Sequence, residues 1–429
     1  MTEIKDLSVV ETRKLASFRA VDAIEPIEGA DAIELAVIGG WKVVTKKGEF
    51  QPGDPCVYFE IDSFMPDGVP AWQFLVDKSA RIFNGVKGHK LRTIKLRGQI
   101  SQGLILPTRA HPATQLVLSM DEAAFAFNAL TCTEAEIAEA KYLRFGMNEH
   151  SLDPRDLNLN KLLGIVKWEP LMSAQLAGMA EGLFPNFIRK TDQERAQNLK
   201  DEIFGFEDIV IPANEELGRP EIVRRAKGDL LAKYEITLKF DGSSMTVFAR
   251  LNGENHDQIE SGVCSRNLQL KVNEANVENS FIKLALKSGL LAALEDMARD
   301  GIGNLAVQGE LMGPGIQSNR EELKDFVLYI FEVQALDTGD NLTPDERHGI
   351  FRELYNRGVN PDMVRHVPVI AHGANLLDTL GITTMEQLLK FAEGPSIVHP
   401  IREGLVFKRH DGRFSFKVIN QQYLLKEKD

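Results

Sequence analysis

The residues with the clearest potential for chemistry lie in the stretch YEITLKFDGSSM, residues 234–245. Lys239 ends a β-rich run and is followed by a polar turn that contains Asp241 and Gly242. A lysine in a partly desolvated pocket has a lowered pKa, and its neutral amine is a nucleophile. Asp241 could bind a hydroxyl or orient this amine, while Gly242 permits a tight turn or close approach of a ligand. A Lys–Asp pair in an ordinary β-turn explains the same residues, so this stretch alone does not decide between the two interpretations.

Further charged and aromatic residues follow Lys239 in a fixed order along the chain. They occur in the segments CSRN, QGELMGPGIQ, YIFEV, EGLVFK and FSFKVIN, and they are Arg266, Glu310, Phe331, Glu403, Lys408 and Lys417. Each one taken singly has a structural explanation, such as a surface charge, a strand end or core packing. Together, and in this order, they resemble the signature of the covalent nucleotidyltransferases, which include polynucleotide ligases and capping enzymes.

The resemblance narrows to the RNA-ligase branch of that superfamily. QGELMGPGIQ and YIFEV look like segments of this branch, and residues 184–199 resemble the helix that opens the catalytic domain of such ligases. KLRTIKLRGQISQGLILP, residues 90–107, is similar to bacterial nick-sealing RNA ligases that carry an N-terminal OB domain. The resemblance covers residues 1–110 and 180–429, and it implies an ATP-dependent RNA ligase.

The resemblance also implies a reaction. Lys239 would attack the α-phosphorus of ATP, expel pyrophosphate and hold AMP as a phosphoramidate. AMP would then pass to a 5′-phosphate, and a 3′-hydroxyl would attack that phosphorus and release AMP. Lys417 and Lys408 would face the phosphates, and Glu403 would lie beside a hydrated divalent cation, Mg²⁺ or Mn²⁺.

The remaining members of the signature would bind the nucleoside. The resemblance implies that Glu310 accepts hydrogen bonds from the ribose hydroxyls and that Arg266 binds ribose or phosphate oxygens. Phe331 would stack on adenine, as suits a flat base.

The sequence departs from the pattern of many relatives in two places. Those relatives place a glutamate one or two residues before the nucleophile to help recognise adenine, whereas Leu238 and Thr237 stand here. Glu235 lies on the same face of the expected strand, because alternate side chains share a face. Several relatives also end the last motif with a second lysine two residues after the first, a position that Ile419 occupies here.

The elements that must position these residues predict an α+β protein. Short β-rich runs in residues 1–110 predict about five strands and an OB-fold, residues 111–180 predict a helical connector, and residues 181–429 predict the nucleotidyltransferase domain. In that domain YEITLKF, SMTVFARL, NLAVQGEL, FVLYIFEV, EGLVFKR and FSFKVI read as strands. Three threonine–glutamate pairs predict helix starts by the capping-box pattern: Thr191 with Glu194, Thr343 with Glu346, and Thr383 with Glu386. Gly358 and Gly394 suit the ends of the last two helices.

A basic stretch in an acidic chain points to nucleic acid. The net charge is −12, yet residues 78–109 contain eight lysines and arginines and no acid. The candidates for phosphate contacts are Lys87, Lys90, Arg92, Lys95 and Arg97. The partner implied is nicked RNA or an RNA-containing duplex, while a solvated hairpin explains the same charges.

Composition and chain ends set the remaining expectations. The three cysteines are far apart, and the sequence shows neither a signal peptide nor an apolar run of the ~20 residues that a membrane helix needs. A cytoplasmic protein without a membrane partner is therefore expected. Only 12 residues follow Lys417, which leaves no room for the OB domain that DNA ligases and capping enzymes place there. A DNA ligase, a capping guanylyltransferase and a non-catalytic nucleic-acid-binding protein remain the alternatives.

Overall fold

The structure is a computed structural model, and it describes two compact units, Met1–Leu171 and Met172–Asp429. Placement is described for residues 13–75, 80–83, 85–119, 122–145, 157–168, 178–211, 221–226, 228–252 and 258–426. Among these residues, no helix has both the length and the apolar character needed to cross a membrane.

The first unit consists of short strands followed by helices. Its strands are β1 (Ala16–Ala20), β2 (Ala23–Pro26), β3 (Ile33–Ile38), β4 (Trp41–Lys46), β5 (Pro55–Phe59), β6 (Ser63–Pro66), β7 (Ala80–Phe83), β8 (Val86–Lys90), β9 (Thr93–Leu96), β10 (Gln99–Gln102), β11 (Leu104–Pro107) and β12 (Val166–Lys167). Its helices are α1 (Pro112–Leu118), α2 (Glu122–Ala129) and α3 (Glu134–Phe145).

The strands of the first unit form small antiparallel sheets. Their orders are β1-β5-β11, β2-β3-β4, β12-β6-β8-β7 and β10-β9. Sharp turns divide the runs expected from the sequence, so the described residues before position 110 form eleven short strands where about five were predicted. Gly103 is one such turn, with φ of +108°, and a Cβ there would lie 2.4 Å from the Phe59 carbonyl oxygen.

The helices predicted after residue 110 are present and share the core of the first unit. Leu116 of α1 and Leu143 of α3 belong to the same buried cluster as Phe18 of β1 and Phe59 of β5. Burying these helical faces against the strands removes apolar surface from water and stabilises both. The proposed division of the chain at residues 110 and 180 stays a prediction.

The second unit combines strands and helices throughout. Its strands are β13 (Ala180–Leu183), β14 (Glu194–Arg195), β15 (Phe206–Ile211), β16 (Glu221–Ala226), β17 (Tyr234–Lys239), β18 (Ser243–Asn252), β19 (Gln258–Ser265), β20 (Leu268–Leu270), β21 (Leu305–Met312), β22 (Val327–Ala335), β23 (Asp340–Asn341), β24 (Val364–His366), β25 (Val369–Ala374), β26 (Gly404–Arg409) and β27 (Ser415–Ile419). Its helices are α4 (Lys200–Phe204), α5 (Gly228–Leu231), α6 (Ser280–Lys287), α7 (Leu290–Arg299), α8 (Pro344–Asn356), α9 (Met385–Phe391) and α10 (Gln421–Lys426).

Two larger sheets carry the second unit. One has the order β13-β20-β19-β18-β21-β22-β23, with β24 also pairing with β22, and the other has the order β14-β27-β26-β17-β25. All six strands predicted from the sequence are present, and the mixture of helices and strands confirms the α+β class. The turn at residues 240–242 leads from β17 in the second sheet to β18 in the first.

Alternating side chains on β17 place apolar residues on one face of the strand and polar residues on the other. Tyr234, Ile236 and Leu238 belong to a buried apolar cluster that also contains Leu405 of β26 and Leu388 of α9. Because successive side chains point to opposite faces, the other face carries the polar residues at positions 235, 237 and 239. The core therefore fixes the direction in which the polar side chains point.

Two local predictions are wrong. Residues 184–199 do not form the expected opening helix: they hold the short strand β14 and a 3₁₀ turn at Ala196–Leu199, so Thr191 and Glu194 cap no α-helix. The capping box of α8 is the predicted pair, Thr343 and Glu346.

The second wrong prediction concerns α9. Its capping box is one residue later than expected, at Thr384 and Gln387 rather than Thr383 and Glu386. Gln387 can serve because a glutamine at the third helical position returns the same hydrogen bond as a glutamate.

Candidate active site

Lys239 and Glu403 meet at the ends of two neighbouring strands. In the antiparallel register of β17 and β26, Lys239 lies opposite Gly404. Glu403 directly precedes Gly404, and its Oε1 accepts a hydrogen bond from Lys239 Nζ at 2.6 Å. A Cβ at Gly404 would lie 2.3 Å from the Val418 carbonyl oxygen. The glycine therefore lets β27 approach closely at the position next to the ion pair.

The charges around Lys239 oppose the effect of its burial. Burial alone would lower the pKa of Lys239, but the carboxylates of Glu403 and Glu310 hold it above its ordinary value. Burial raises the pKa of Glu403, and it raises the pKa of Glu310 to about 7. The negative charge of Asp241 contributes to all three shifts. One lysine thus faces three carboxyl groups, and the amine is protonated in this arrangement.

Glu310 is tied to the turn that follows Lys239. The backbone N–H of Gly242 donates to Glu310 Oε1 at 3.0 Å, and Ser244 lies opposite Glu310 in the pairing of β18 with β21. A Cβ at Gly242 would lie 2.5 Å from the Leu311 carbonyl oxygen and 2.9 Å from Glu310 Cγ. Only glycine fits this close approach, which gives a steric reason for Gly242 in the turn after Lys239.

The carboxylates fit a divalent cation. Among the described residues, Glu403 Oε2 is buried and has no hydrogen-bond partner, whereas its other oxygen is paired with Lys239. Buried polar atoms are normally satisfied, and Mg²⁺ prefers one or two carboxylates together with waters. Glu403 is therefore a suitable ligand for such an ion, and the charges of Asp241 and Glu310 act on the same site.

Lys417 and Arg266 converge on one acidic residue. Lys417 Nζ donates to Asp192 Oδ1 at 2.9 Å, and Arg266 NH2 lies 3.9 Å from Asp192 Oδ2. The positive charge of Lys417 also acts to lower the pKa of Glu403, against the larger raising effect of burial. Lys417 therefore influences the group of charges around Lys239.

Phe331 occupies an irregular point of β22. Gln308 of β21 lies opposite Glu332 and Gly309 lies opposite Ile330, which leaves Phe331 as the extra residue of a β-bulge. Bulges re-aim side chains and are common beside active sites. Phe331 is only partly buried, while Glu332 next to it is 3% exposed.

Lys408 lies with Phe331 rather than with the Lys239 pair. Its Nζ donates to the Phe331 carbonyl oxygen and to Glu332 Oε2, both at 2.5 Å, and it lies 5.8 Å from the centre of the Phe331 ring. Burial lowers the pKa of Lys408 to about 8. The phosphate contact expected for Lys408 stays a prediction.

Behind this group lies a buried ionic network that contains Glu235. Arg347 of α8 is fully buried and donates to Glu235 and, at 3.5 Å, to Glu332. His348 Nε2 lies 3.0 Å from the second oxygen of Glu235. The guanidinium of Arg347 and the neighbouring imidazoles hold the pKa of Glu235 below its ordinary value although burial opposes this.

The two residues before the nucleophile are almost inaccessible. Thr237 is 2% exposed and Leu238 is 5% exposed. Leu238 belongs to the apolar core, and its backbone N–H donates to the Pro368 carbonyl oxygen at 3.0 Å.

The basic candidates of the first unit lie on strands β8 and β9, in the connection between them and in the turn that follows β9. Lys87 is paired with Asp67 at 3.0 Å, and Lys90 Nζ lies 5.9 Å from the centre of a Trp168 ring. Arg92, Lys95 and Arg97 are exposed. Their contact with nucleic acid stays a prediction.

Three residues of the site were missed from the sequence. Asp192 lies in residues 184–199 and Glu332 lies in YIFEV, but nothing local distinguishes either one from a surface acid. Arg347 lies on α8, whose polar composition predicts an exposed helix, and its complete burial depends on partners in β17 and β22. One sequence signal could have indicated Glu332. It directly follows Phe331, and an acid next to a proposed base-stacking residue is a candidate partner for a lysine of another motif.

Two family models match the chain. A family model described as RNA ligase matches residues 232–419, and one described as an OB-fold domain matches residues 15–108. Comparison with curated proteins gives no match.

The chain is also similar to solved structures of an RNA ligase from Naegleria gruberi. A variant of that ligase with ATP and Mn is 37% identical, with a TM-score of 0.72, 97% of this chain covered and 100% of that chain. A variant with AMP and Mn is 36% identical with the same TM-score and coverage. The same ligase with pyrophosphate is 36% identical, with a TM-score of 0.70 over 96% of this chain and 98% of that chain.

These matches confirm the family indicated by the order of the motifs and the OB-fold expected near the N-terminus. The residues assigned to individual steps remain proposals. The chain belongs to the RNA ligase family and carries an OB-fold domain before its ligase domain.

Proposed function

We propose that this enzyme, an ATP-dependent RNA ligase that works through an AMP intermediate, seals 3′-hydroxyl/5′-phosphate nicks with Lys239 as its nucleophile. The observation that carries the assignment is the position of Lys239 Nζ, 2.6 Å from Glu403 and within reach of the charges of Glu310 and Asp241. A structural ion pair would not need two further carboxyl groups around one lysine.

The first step requires a neutral amine. Lys239 Nζ attacks the α-phosphorus of ATP, a nitrogen–phosphorus bond forms, and the bond to pyrophosphate breaks. Glu403 Oε1 already accepts a hydrogen bond from the amine, so it is the nearest group to take the proton. A divalent cation at these carboxylates would neutralise charge on the phosphates and, by offsetting the carboxylate charge, lower the pKa of Lys239.

Lys417 and Arg266 supply positive charge for the nucleotide phosphates. Both converge on one oxyanion group in this structure, the carboxylate of Asp192. Carboxylate and phosphate are bound by the same charge-assisted hydrogen bonds, which makes this pair a suitable phosphate site.

Phe331 and the Lys408–Glu332 pair suit the base, a role for Lys408 that differs from the phosphate contact expected from the sequence. The partly buried Phe331 ring offers a stacking surface, with a lysine donor and a carboxylate acceptor beside it. The Watson–Crick edge of adenine presents an amino donor and a ring-nitrogen acceptor, whereas guanine presents these in the opposite sense. The pair therefore supplies both kinds of group that the adenine edge requires, which supports recognition of ATP without a glutamate at Thr237 or Leu238.

The RNA would be held partly by the first unit. The exposed side chains of Arg92, Lys95 and Arg97 lie on and beside one β-hairpin, as suits contacts along a phosphate backbone. We place the enzyme in the cytoplasm and its substrate among nicked RNA or RNA-containing duplexes.

The test is nucleotide labelling followed by nick sealing. The protein is incubated with α-labelled ATP or GTP and Mg²⁺, and label that stays on the denatured protein is measured. We expect labelling from ATP and then sealing of nicks that end in a 3′-ribonucleotide much faster than all-DNA nicks. Labelling from GTP alone, or equal sealing of all-DNA nicks, would contradict the proposal.

A further inference from the structure

Asp192 is the common partner of two basic residues that the proposed function gives to phosphate. Its two carboxylate oxygens face Lys417 Nζ at 2.9 Å and Arg266 NH2 at 3.9 Å. The side chain of Asp192 is 33% exposed, and that of Lys417 is 12% exposed. Solvent and a ligand can therefore reach the acid, while the lysine is mostly covered.

The backbone around Asp192 is held at both ends. On one side, the N–H of Arg189 donates to Gln334 Oε1 at 2.9 Å, and Gln308 Nε2 donates to the Arg189 carbonyl oxygen at 2.7 Å. Both glutamines are buried in central strands. On the other side, β14 pairs in parallel with β27, with Arg195 opposite Lys417. The position of Asp192 is thus set by the fold and does not depend on a flexible loop.

The location of the pair makes competition with a ligand unavoidable. Lys417 lies on β27, two residues before Ile419, which pairs with Gly404 beside Glu403, so the Asp192 carboxylate is bonded to the strand that borders the Lys239–Glu403 pair. A phosphate that binds Lys417 and Arg266 needs the Lys417 amine that now donates to the carboxylate, and the positive charge of Arg266 that now faces it. The phosphate must either displace the Asp192 carboxylate or bind beside it, where the two negative charges repel each other.

We propose that Asp192 is an internal counterion that competes with a nucleotide phosphate for Lys417 and Arg266. This inference rests on the proposed function, because it takes these two residues as phosphate-binding groups. Asp192 keeps the two cations paired before ATP binds, and it lowers the affinity of the site for the phosphates of the nucleotide. An acid that only positioned Lys417 would have the opposite effect on affinity when removed.

The experiment measures ATP binding without reaction. In a Lys239→Ala background, the Kd for ATP is determined by calorimetry with and without Asp192→Asn, and with Asp192→Ala as a second variant. We expect either change to lower the Kd for ATP by about 3- to 10-fold. The phosphate would no longer have to displace the Asp192 carboxylate, whose attraction for Lys417 is partly screened by solvent. Adenosine carries no phosphate, so its Kd should not change, and its binding shows that the site is folded.

A charge-matched control separates a local effect from a change in net charge. Glu278→Gln removes one negative charge from an 81% exposed side chain of the same unit, and it should leave the Kd for ATP unchanged. An unchanged or raised Kd for ATP in the Asp192 variants would overturn the proposal. Absence of lysyl-AMP in the unmodified enzyme would count against the proposed function, whereas normal lysyl-AMP with no gain in ATP affinity would count against the role of Asp192 alone.

Discussion

Lys239 and Glu403 are separated by 164 residues, yet their side chains meet at 2.6 Å. The contact follows from the pairing of β17 with β26, which places Lys239 opposite Gly404. The same pairing keeps the amine protonated, because the Glu403 and Glu310 carboxylates hold the pKa of Lys239 above its ordinary value. On the proposed role of Lys239 as the nucleophile, its amine is in an inactive protonation state here, and nucleotide and metal binding would have to lower its pKa.

Removing the Glu403 charge should lower the pKa of Lys239. In Glu403→Gln, burial of the amine is no longer opposed by its nearest carboxylate, so Lys239 should react with a small acylating reagent at lower pH than in the unmodified protein. The measurement is the extent of acylation at Lys239 against pH, read by mass spectrometry of its peptide, with exposed Lys324 as the internal reference. An identical pH profile in both proteins would mean that Glu403 does not control the amine.

Glu310 should make the second unit less stable as pH rises. Burial raises its pKa to about 7, above the value of ~4.3 in an unfolded chain. Between these values the folded state holds a proton that the unfolded state has lost, so the free energy of unfolding falls as pH increases. Glu310→Gln cannot titrate, and its free energy of unfolding relative to the unmodified protein should rise by about 1–3 kcal/mol from pH 5 to pH 8.

The stability of the second unit can be followed by hydrogen exchange of its core strands in urea. Glu278→Gln is the control, because that carboxylate is exposed and Lys283 lowers its pKa. The free energy of unfolding of Glu278→Gln, relative to the unmodified protein, should not rise over the same pH range. A flat difference for Glu310→Gln would show that Glu310 is ionised throughout.

The sequence predicts the strands of the second unit because their apolar residues alternate, as in β17, where Tyr234, Ile236 and Leu238 are buried. It also predicts that Lys239, Glu310 and Glu403 belong together, through motif order alone. It fails where partners are distant in the chain. Residues 184–199 resemble a helix of related ligases and contain a capping pair, but Gln308 and Gln334 bind the backbone of Arg189, which lies outside any helix.

The same limit applies to the buried network. Whether Glu332, Arg347 and Glu235 are surface charges or buried partners depends on how α8 packs against β17 and β22. No spacing within any one segment carries that information. Strand β19 was also missed, because Gln258–Ser265 is mostly polar and small and lacks a clear apolar alternation.

Phe331 should matter for nucleotide use rather than for folding alone. Stacking on a base contributes ~1–3 kcal/mol, so Phe331→Ala should raise the half-saturating ATP concentration for lysyl-AMP formation by about 10- to 100-fold. Phe331→Tyr keeps the ring and should have a small effect. If alanine and tyrosine behave alike at unchanged stability, Phe331 packs the bulge and another group holds the base.

The basic residues of the first unit should govern nick binding but not AMP attachment. Neutralising Arg92, Lys95 and Arg97 should weaken binding of a nicked duplex and reduce the slope of log affinity against log salt by about 0.9 for each lost phosphate contact. Lys46 and Lys47, exposed in the same unit, are the matched control for lost positive charge. An unchanged slope would indicate a solvated hairpin, and loss of lysyl-AMP formation would indicate that the substitutions damage the catalytic unit.

The most direct test of the account is to locate the AMP on the protein. After reaction with ATP and Mg²⁺, peptide mapping by mass spectrometry should find AMP on Lys239, and both Lys239→Ala and Lys239→Arg should carry none, because arginine keeps the charge but cannot lose its proton. Circular dichroism of both variants should match the unmodified protein. AMP on another residue, or on either variant, would contradict the assignment of Lys239 as the nucleophile.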